Sequence, residues 1–177
     1  MILFNIIVAV DNQNGIGKSG QLPWVLSADL KYFKDLTTKT QSPLKKNAVI
    51  MGRKTWDSIP VKFRPLPDRI NIVLSRNDQL VLPAVVLQFG NLEEVFKEIE
   101  MGRLKNDVES VYVIGGQQIF KEALKQKNCQ RIYITHIHHS FNCDTFFPPY
   151  KDLFIERQSS PVQKEGSIFY HFSVYER

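Results

Sequence analysis

Three apolar, β-branched runs of this chain end in residues suited to holding anions. Residues 48–51 run into Gly52-Arg53-Lys54-Thr55-Trp56, residues 70–74 into Ser75-Arg76, and residues 111–114 into Gly115-Gly116 at the start of a helical pattern. A glycine turn that opens a helix presents free backbone N–H groups and the positive end of the helix dipole. Arginine and lysine add charge-assisted donors. Any one of these turns reads as readily as a solvated basic loop. Three such strand ends together suggest a ligand with a pyrophosphate and a further phosphate, which fits NADP better than NAD.

Asp29 is the carboxylate of interest. It falls in the first turn of an amphipathic stretch in which Leu26, Leu30 and Phe33 share one face and Ser27 can cap. The helix dipole alone accounts for an acid there. The functional alternative is a carboxylate facing a pocket, paired with a cationic or amidine-like ring edge.

Two phosphate-loop patterns fail on context. Gly15, Gly17 and Gly20 satisfy GxGxxG, but Leu22-Pro23-Trp24 follows where a helix should start. Gly17-Lys18-Ser19 ends like a Walker loop, but Asn12 holds the first glycine's place. The segment reads as a mobile glycine-rich loop, possible as a lid over a ligand.

The elements that must position these residues alternate. Strand-like runs fall at 3–10, 48–51, 70–74, 84–87, 111–114 and 131–136, with more alternating segments at 153–158 and 168–175. That gives eight strands. Between them lie the Asp29 helix, a helix entered through Asn91 and Glu94 as a capping box and stopped at Gly102, and a helix from Gly116 with Ile119, Phe120, Ala123 and Leu124 on one face. The pattern predicts a single α/β domain over 1–177, with a mostly parallel eight-stranded sheet and helices on both faces. The last two strands, joined through 161–167, form a C-terminal antiparallel hairpin. Ligands of such sheets bind at the carboxyl ends of strands, which is where the anion-binding turns fall.

The 177 residues carry 43% hydrophobic and 23% charged side chains, with no low-complexity tract. That excludes collagen-like, disordered and disulfide-dense classes. The net charge of +5 is spread along the chain rather than gathered into a basic stripe. Small anionic ligands are therefore favoured over nucleic acid. The first apolar run is too short to span a bilayer. Cys129 and Cys143 lack metal-knuckle spacing and suit a reducing, cytoplasmic compartment. His136 and His138 share a strand face, with His139 beside them. With no acid or cysteine at an obvious spacing, the expectation is no metal.

Residues 6–10 (Ile-Ile-Val-Ala-Val), Gly15-Ile16-Gly17, Leu22-Pro23-Trp24, Asp29, Phe33 and Met51-Gly52-Arg53-Lys54-Thr55-Trp56 resemble dihydrofolate reductases. So do Arg64-Pro65-Leu66, Arg69-Ile70-Asn71, Leu74-Ser75-Arg76, Ile114-Gly115-Gly116, Asp144-Thr145-Phe146-Phe147-Pro148 and Val174-Tyr175-Glu176. The likeness runs in order along essentially the whole chain. It implies NADPH-dependent reduction of 7,8-dihydrofolate, with hydride passing to pterin C6 and a proton to N5, in support of one-carbon metabolism.

On that likeness Asp29 would accept from the pterin 2-amino group and N3, with Thr135 steadying it. Ile7, Val8 and Ile114 would border the pterin. Leu22 and Trp24 would belong to the lid. Leu30, Phe33, Ile59 and Leu66 would pack on the pterin and benzoyl rings, and Arg69 would clamp the glutamate α-carboxylate. Ala9, Ile16 and Gly17 would meet the nicotinamide. Gly52, Arg53, Lys54, Thr55, Leu74, Ser75 and Arg76 would hold phosphates. Gly115, Gly116, Gln117, Gln118, Ile119 and Phe120 would cover the pyrophosphate.

Three features depart from the family pattern. Leu30 stands where many relatives have Phe, which bears on antifolate inhibitors. Val25-Leu26-Ser27 is free of proline, and Gln117-Gln118 replaces smaller residues. A riboflavin-pathway reductase would lack Asp29 and Arg69 in these roles, and an RNA-binding relative would lack Asp29 or the lid. A monomer, or one half of a fused reductase–thymidylate synthase, suits the single domain.

Overall fold

The computed structural model describes residues 1–177 and has one main sheet with helices on both faces. Its centre is β1 (Phe4–Val10), flanked by β6 (Val108–Gly115) and β7 (Cys129–Ile137). Beyond β6 lie β3 (Lys46–Gly52), β4 (Arg69–Leu74) and β5 (Leu87–Phe89). These six strands are parallel. On the other side, β11 (Ile168–Glu176) runs antiparallel to β7. Its outer edge is shared by two short antiparallel strands, β9 (Ile155–Ser159) and β10 (Gln163–Glu165). Nine strands thus occupy eight positions, mostly parallel, with the expected antiparallel hairpin at the C-terminal end.

Four local expectations need correction. The run at 84–87 becomes a strand only at Leu87, because the bond from Val86 N–H to the Pro83 carbonyl closes a turn first. The hairpin connection at 161–167 contains β10 rather than being a plain loop. The glycine-rich loop is not free. Its residues form β2 (Gly15–Gly17), paired with β8 (Thr145–Phe146). Ser27 is not the cap of α1 (Ser27–Thr38) but its first residue, preceded by Leu26. The Glu165 carboxylate caps from β10 instead, accepting from the N–H groups of Ser27 at 2.7 Å and Ala28 at 2.9 Å.

The other helices follow the sequence. In α3 (Leu92–Met101) the Asn91 side chain accepts from Glu94 N–H, and Glu94 accepts in return from Gly90 N–H and the Asn91 amide. Gly102 is its C-cap. α4 (Gln117–Lys125) buries Phe120, Ala123 and Leu124. α3 and α4 cover one sheet face, packing on Phe4, Ile6, Val8 and Val10. On the other face Phe33 and Leu36 of α1 and Trp56 of α2 (Arg53–Ser58) pack on Ile7, Val49, Met51 and Val73. Burial on both faces explains why the parallel strands read as unbroken apolar runs.

Candidate functional site: a two-part cleft

The registered pairing of β1 with β6 stops at Ile6–Val113, whereas its pairing with β7 continues to Val10–His136. Beyond Ile6, β1 and β6 no longer pair with each other, and the sheet's carboxyl side opens there. The resulting cleft has a volume of about 1740 Å³. A site for one small molecule is typically about 300–1,000 Å³, so this cleft has room for two.

Nearly all the residues singled out in the sequence line it. Ile7, Val8, Ala9, Ile16, Gly17 and Leu22 come from β1 and the segment after it, and Asp29, Leu30 and Phe33 from α1. Ile59, Leu66 and Arg69 form one end. Gly52, Arg53, Lys54 and Thr55, then Leu74, Ser75 and Arg76, form the other. Ile114, Gly115, Gly116, Gln117, Gln118, Ile119 and Phe120 form the floor between them.

Two do not line it. Thr135 is buried behind Asp29 and donates its hydroxyl to Asp29 Oδ1 at 2.6 Å. Trp24, expected in the lid, is 5% exposed and belongs to an apolar cluster with Leu26, Ile137 and Tyr170. Its ring also packs on Phe141 at 5.3 Å. A large apolar ring gains more from that packing than from a place on a mobile loop. Of the expected lid residues only Leu22 faces the cleft, and it is exposed.

Two charged groups mark the end of the cleft beside Ile59 and Leu66. Burial raises the pKa of Asp29 above its ordinary 3.8, and the Thr135 hydroxyl opposes that shift only in part. The carboxylate therefore sits where its charge is poorly solvated and a double donor would be welcome. Arg69 on β4 is 8% exposed. Its Nε donates to the Pro67 carbonyl at 2.9 Å and its Nη1 to Thr37 Oγ1 at 2.8 Å. The guanidinium lies 5.7 Å from the Phe33 ring centroid. It takes part in none of the chain's ion pairs. A buried cation that makes no ion pair, with only the Asp68 charge offsetting its desolvation in part, is costly to the fold and well placed to receive an anion.

At the other end the helix starts differ. The first-turn N–H groups of α1 and α3 are taken by Glu165 and Asn91, whereas α2 and α4 begin at Gly52 and Gly116 with no side-chain cap. Both uncapped starts face the cleft. A Cβ at Gly52 would lie 3.2 Å from Ile119, and one at Gly116 would lie 3.1 Å from Thr55 Oγ1. Gly115 has φ +134°, which L side chains rarely adopt. Arg76 makes no ion pair within the chain, but Arg53 is joined to Asp57 at 2.9 Å. An anion would share Arg53 with Asp57.

Several functional supports were not foreseen from the sequence. Asp11, 3% exposed, anchors the glycine-rich segment: Oδ1 accepts from the N–H groups of Gln13 at 2.9 Å and Gly15 at 2.7 Å, and Oδ2 from Phe141 N–H at 3.0 Å. Thr37 orients Arg69. Lys34, Lys62 and Asn91 add to the rim. An Asp ending a strand beside an Asn-Gly turn was the available signal for Asp11. The histidine expectation also changes. Glu156 and His171 are brought beside His136 by strand pairing, not by sequence spacing.

The dihydrofolate reductase family model matches residues 3–177. The chain is 46% identical to the dihydrofolate reductase of Heliothis virescens, over 99% of this chain and 98% of that one. It is 43% identical to that of Drosophila melanogaster, over 100% and 99%. A bifunctional dihydrofolate reductase-thymidylate synthase of Glycine max is 42% identical, and there the match spans only 33% of the relative. The solved Schistosoma mansoni dihydrofolate reductase superposes with a TM-score of 0.86 at 40% identity, covering 99% of this chain and 98% of that one. With its fold, its cleft and its full-length relatives in agreement, the chain belongs to the dihydrofolate reductase family and is an oxidoreductase.

Proposed function

We propose that this chain reduces 7,8-dihydrofolate to 5,6,7,8-tetrahydrofolate with NADPH, in support of one-carbon metabolism and thymidylate synthesis. The observation that carries the reading is a cleft holding both the Asp29 carboxylate and a buried Arg69 guanidinium that makes no ion pair. Such a pair suits a ligand with a donor edge at one end and a carboxylate at the other.

Asp29 accepts from the pterin 2-amino group and N3, because one carboxylate can take two parallel N–H bonds. Thr135 fixes its rotamer. Leu30, Phe33, Ile59 and Leu66 supply apolar walls, and Ile7, Val8 and Ile114 border the ring. Arg69 takes the glutamate carboxylate. NADPH, when bound, supplies the hydride that reaches pterin C6. The uncapped starts of α2 and α4 and their close-packed glycines fit a pyrophosphate, and Lys54, Ser75 and Arg76 fit a further phosphate. Ala9, Ile16 and Gly17 border the nicotinamide side. Asp29 orients the pterin and favours a proton on it electrostatically, while water admitted past Leu22 delivers that proton to N5.

Residues 1–177 act as one reductase domain, alone or fused to a thymidylate synthase. Cytoplasmic work accords with two free cysteines. No helix is long and apolar enough to cross a membrane. The test is oxidation of NADPH by the purified protein, followed by absorbance with and without dihydrofolate. Oxidation that requires dihydrofolate is expected. Oxidation indifferent to dihydrofolate would overturn the reading.

A further inference from the structure

At the antiparallel edge of the sheet, away from the cleft, β7, β11 and β9 bring three metal-binding side chains together. His136 and His171 are directly opposite each other in the β7–β11 register. Their rings stack with centroids 4.7 Å apart. Glu156 lies opposite Tyr175 on the next strand, two residues along β11 from Ser173. One nitrogen from each imidazole and one Glu156 oxygen all lie within 4.8 Å of one another. We propose that His136, His171 and Glu156 form a binding site for a zinc-type divalent ion, which ties the edge strand β9 to the β11–β7 pair.

The donor set and its supports fit that ion. Two imidazoles and a carboxylate suit zinc and its neighbours rather than magnesium or calcium, which prefer oxygen. Ligands about 2.0–2.2 Å from a tetrahedral centre are about 3.3–3.5 Å apart. The gaps therefore close by side-chain shifts on the order of an ångström, with the strands left in place. Metal-bound histidines need a partner for the other ring nitrogen. His138 Nε2 lies 2.7 Å from His171 Nδ1, and His136 Nε2 lies 3.2 Å from the Tyr175 hydroxyl. Either ring can present its remaining nitrogen. Ser173 donates to Glu156 Oε1 at 2.6 Å, which fixes the carboxylate and leaves its other oxygen. Three protein ligands leave a fourth position for water. The Lys151 ammonium is the opposing charge near His136.

The site faces away from Asp29. Side chains alternate along a strand, so Thr135 points to the catalytic side and His136 to the other. Binding should therefore stabilise the fold without being needed for reduction.

The experiment uses untagged full-length protein titrated with zinc chloride by calorimetry, with cobalt chloride as a spectroscopic probe. One saturable equivalent, tetrahedral cobalt bands, and a melting temperature raised by zinc but not by magnesium are expected. Glu156→Gln and His171→Gln should each weaken zinc binding at least about tenfold, and His138→Gln by about tenfold through the lost support. Cys143→Ser should leave it unchanged. The exposed Glu156 position keeps the test open if a histidine variant folds poorly. No saturable zinc binding to the wild type, undiminished binding in Glu156→Gln, or binding lost in Cys143→Ser would each overturn the site.

Discussion

Replacing Arg69 by leucine tests the substrate end of the cleft most directly. The guanidinium has five N–H donors, and the fold uses two, for Pro67 and Thr37. The unused donors of Nη1 and Nη2 form the fork that a carboxylate accepts from. A hydrogen bond to a charged group is worth about 1.5–3 kcal/mol. At about 1.4 kcal/mol per tenfold, the variant should bind dihydrofolate about 10- to 100-fold more weakly. Leucine also removes a buried cation that makes no ion pair, so the apo fold should lose little stability despite the freed Thr37 hydroxyl and Pro67 carbonyl. The assay compares KM for dihydrofolate with KM for a reducible pterin that lacks the glutamate tail, and adds a thermal melt. Dihydrofolate KM should rise while the tail-less pterin is unaffected. If both rise together, Arg69 supports the pocket as a whole; if neither rises, it binds no carboxylate. Either result refutes the clamp.

Asp29→Asn should slow single-turnover hydride transfer near neutral pH, with partial recovery in acid, and leave NADPH affinity intact. Its folded pKa is raised, so the wild-type carboxylate destabilises the fold as pH climbs from 3.8 through the folded value. Apo Asp29→Asn should therefore melt higher than wild type at neutral pH, with the gap closing below 3.8. Arg76→Ala should raise KM for NADPH about tenfold or more and spare NADH, as loss of a charge-assisted phosphate contact requires; equal effects would remove Arg76 from the extra phosphate. At Asp11 burial pushes the pKa up, but the N–H groups of Phe141, Gln13 and Gly15 outweigh it and leave it below 3.8. That stabilisation is present above 3.8 and lost as pH falls through the folded pKa. Asp11→Asn should accordingly lower the melting temperature at neutral pH, with the difference shrinking in acid.

The parallel half of the sheet is legible in the sequence because strands buried on both faces must be apolar throughout. β1, β3, β4, β6 and β7 were each visible as runs. The turns after β3, β4 and β6 were visible because each strand end carries residues suited to anions, Gly52 to Thr55 after β3, Ser75 and Arg76 after β4, and Gly115 and Gly116 at the end of β6. Local caps divided by range. The Asn91–Glu94 box spans four residues and was legible, whereas Glu165 caps α1 from 138 residues away and was not. The same distance rule hid Asp11's bond to Phe141, Thr37's to Arg69, and the meeting of His136 with Glu156 and His171. Trp24 departs from its expected place for a related reason: its neighbours Phe141, Ile137 and Tyr170 come from strands and loops far along the chain.

The two ends of the cleft reach anion and donor recognition by different physical means. At the end proposed for the cofactor, neutral backbone predominates: uncapped helix starts at Gly52 and Gly116, with Lys54 and Arg76 set in more open surroundings, leave N–H groups that water can satisfy until a phosphate displaces it. Little stability is lost by keeping such a site empty. At the end proposed for the substrate, ionisable side chains are taken out of water instead. Asp29 is held where its charge is disfavoured, and Arg69 is held out of water with no ion pair, the nearby Asp68 charge offsetting its desolvation only in part. Each is braced by one threonine, Thr135 for the carboxylate and Thr37 for the guanidinium. A hydroxyl can serve either sign, donating to Asp29 and accepting from Arg69, but it cannot neutralise either charge. Each group thus keeps its orientation and most of its unmet demand for a partner. On the proposed reading, a ligand carrying a donor edge and a carboxylate at the spacing of these two groups relieves both at once, and selectivity for it rests on two desolvated charges that the fold leaves without an ion pair.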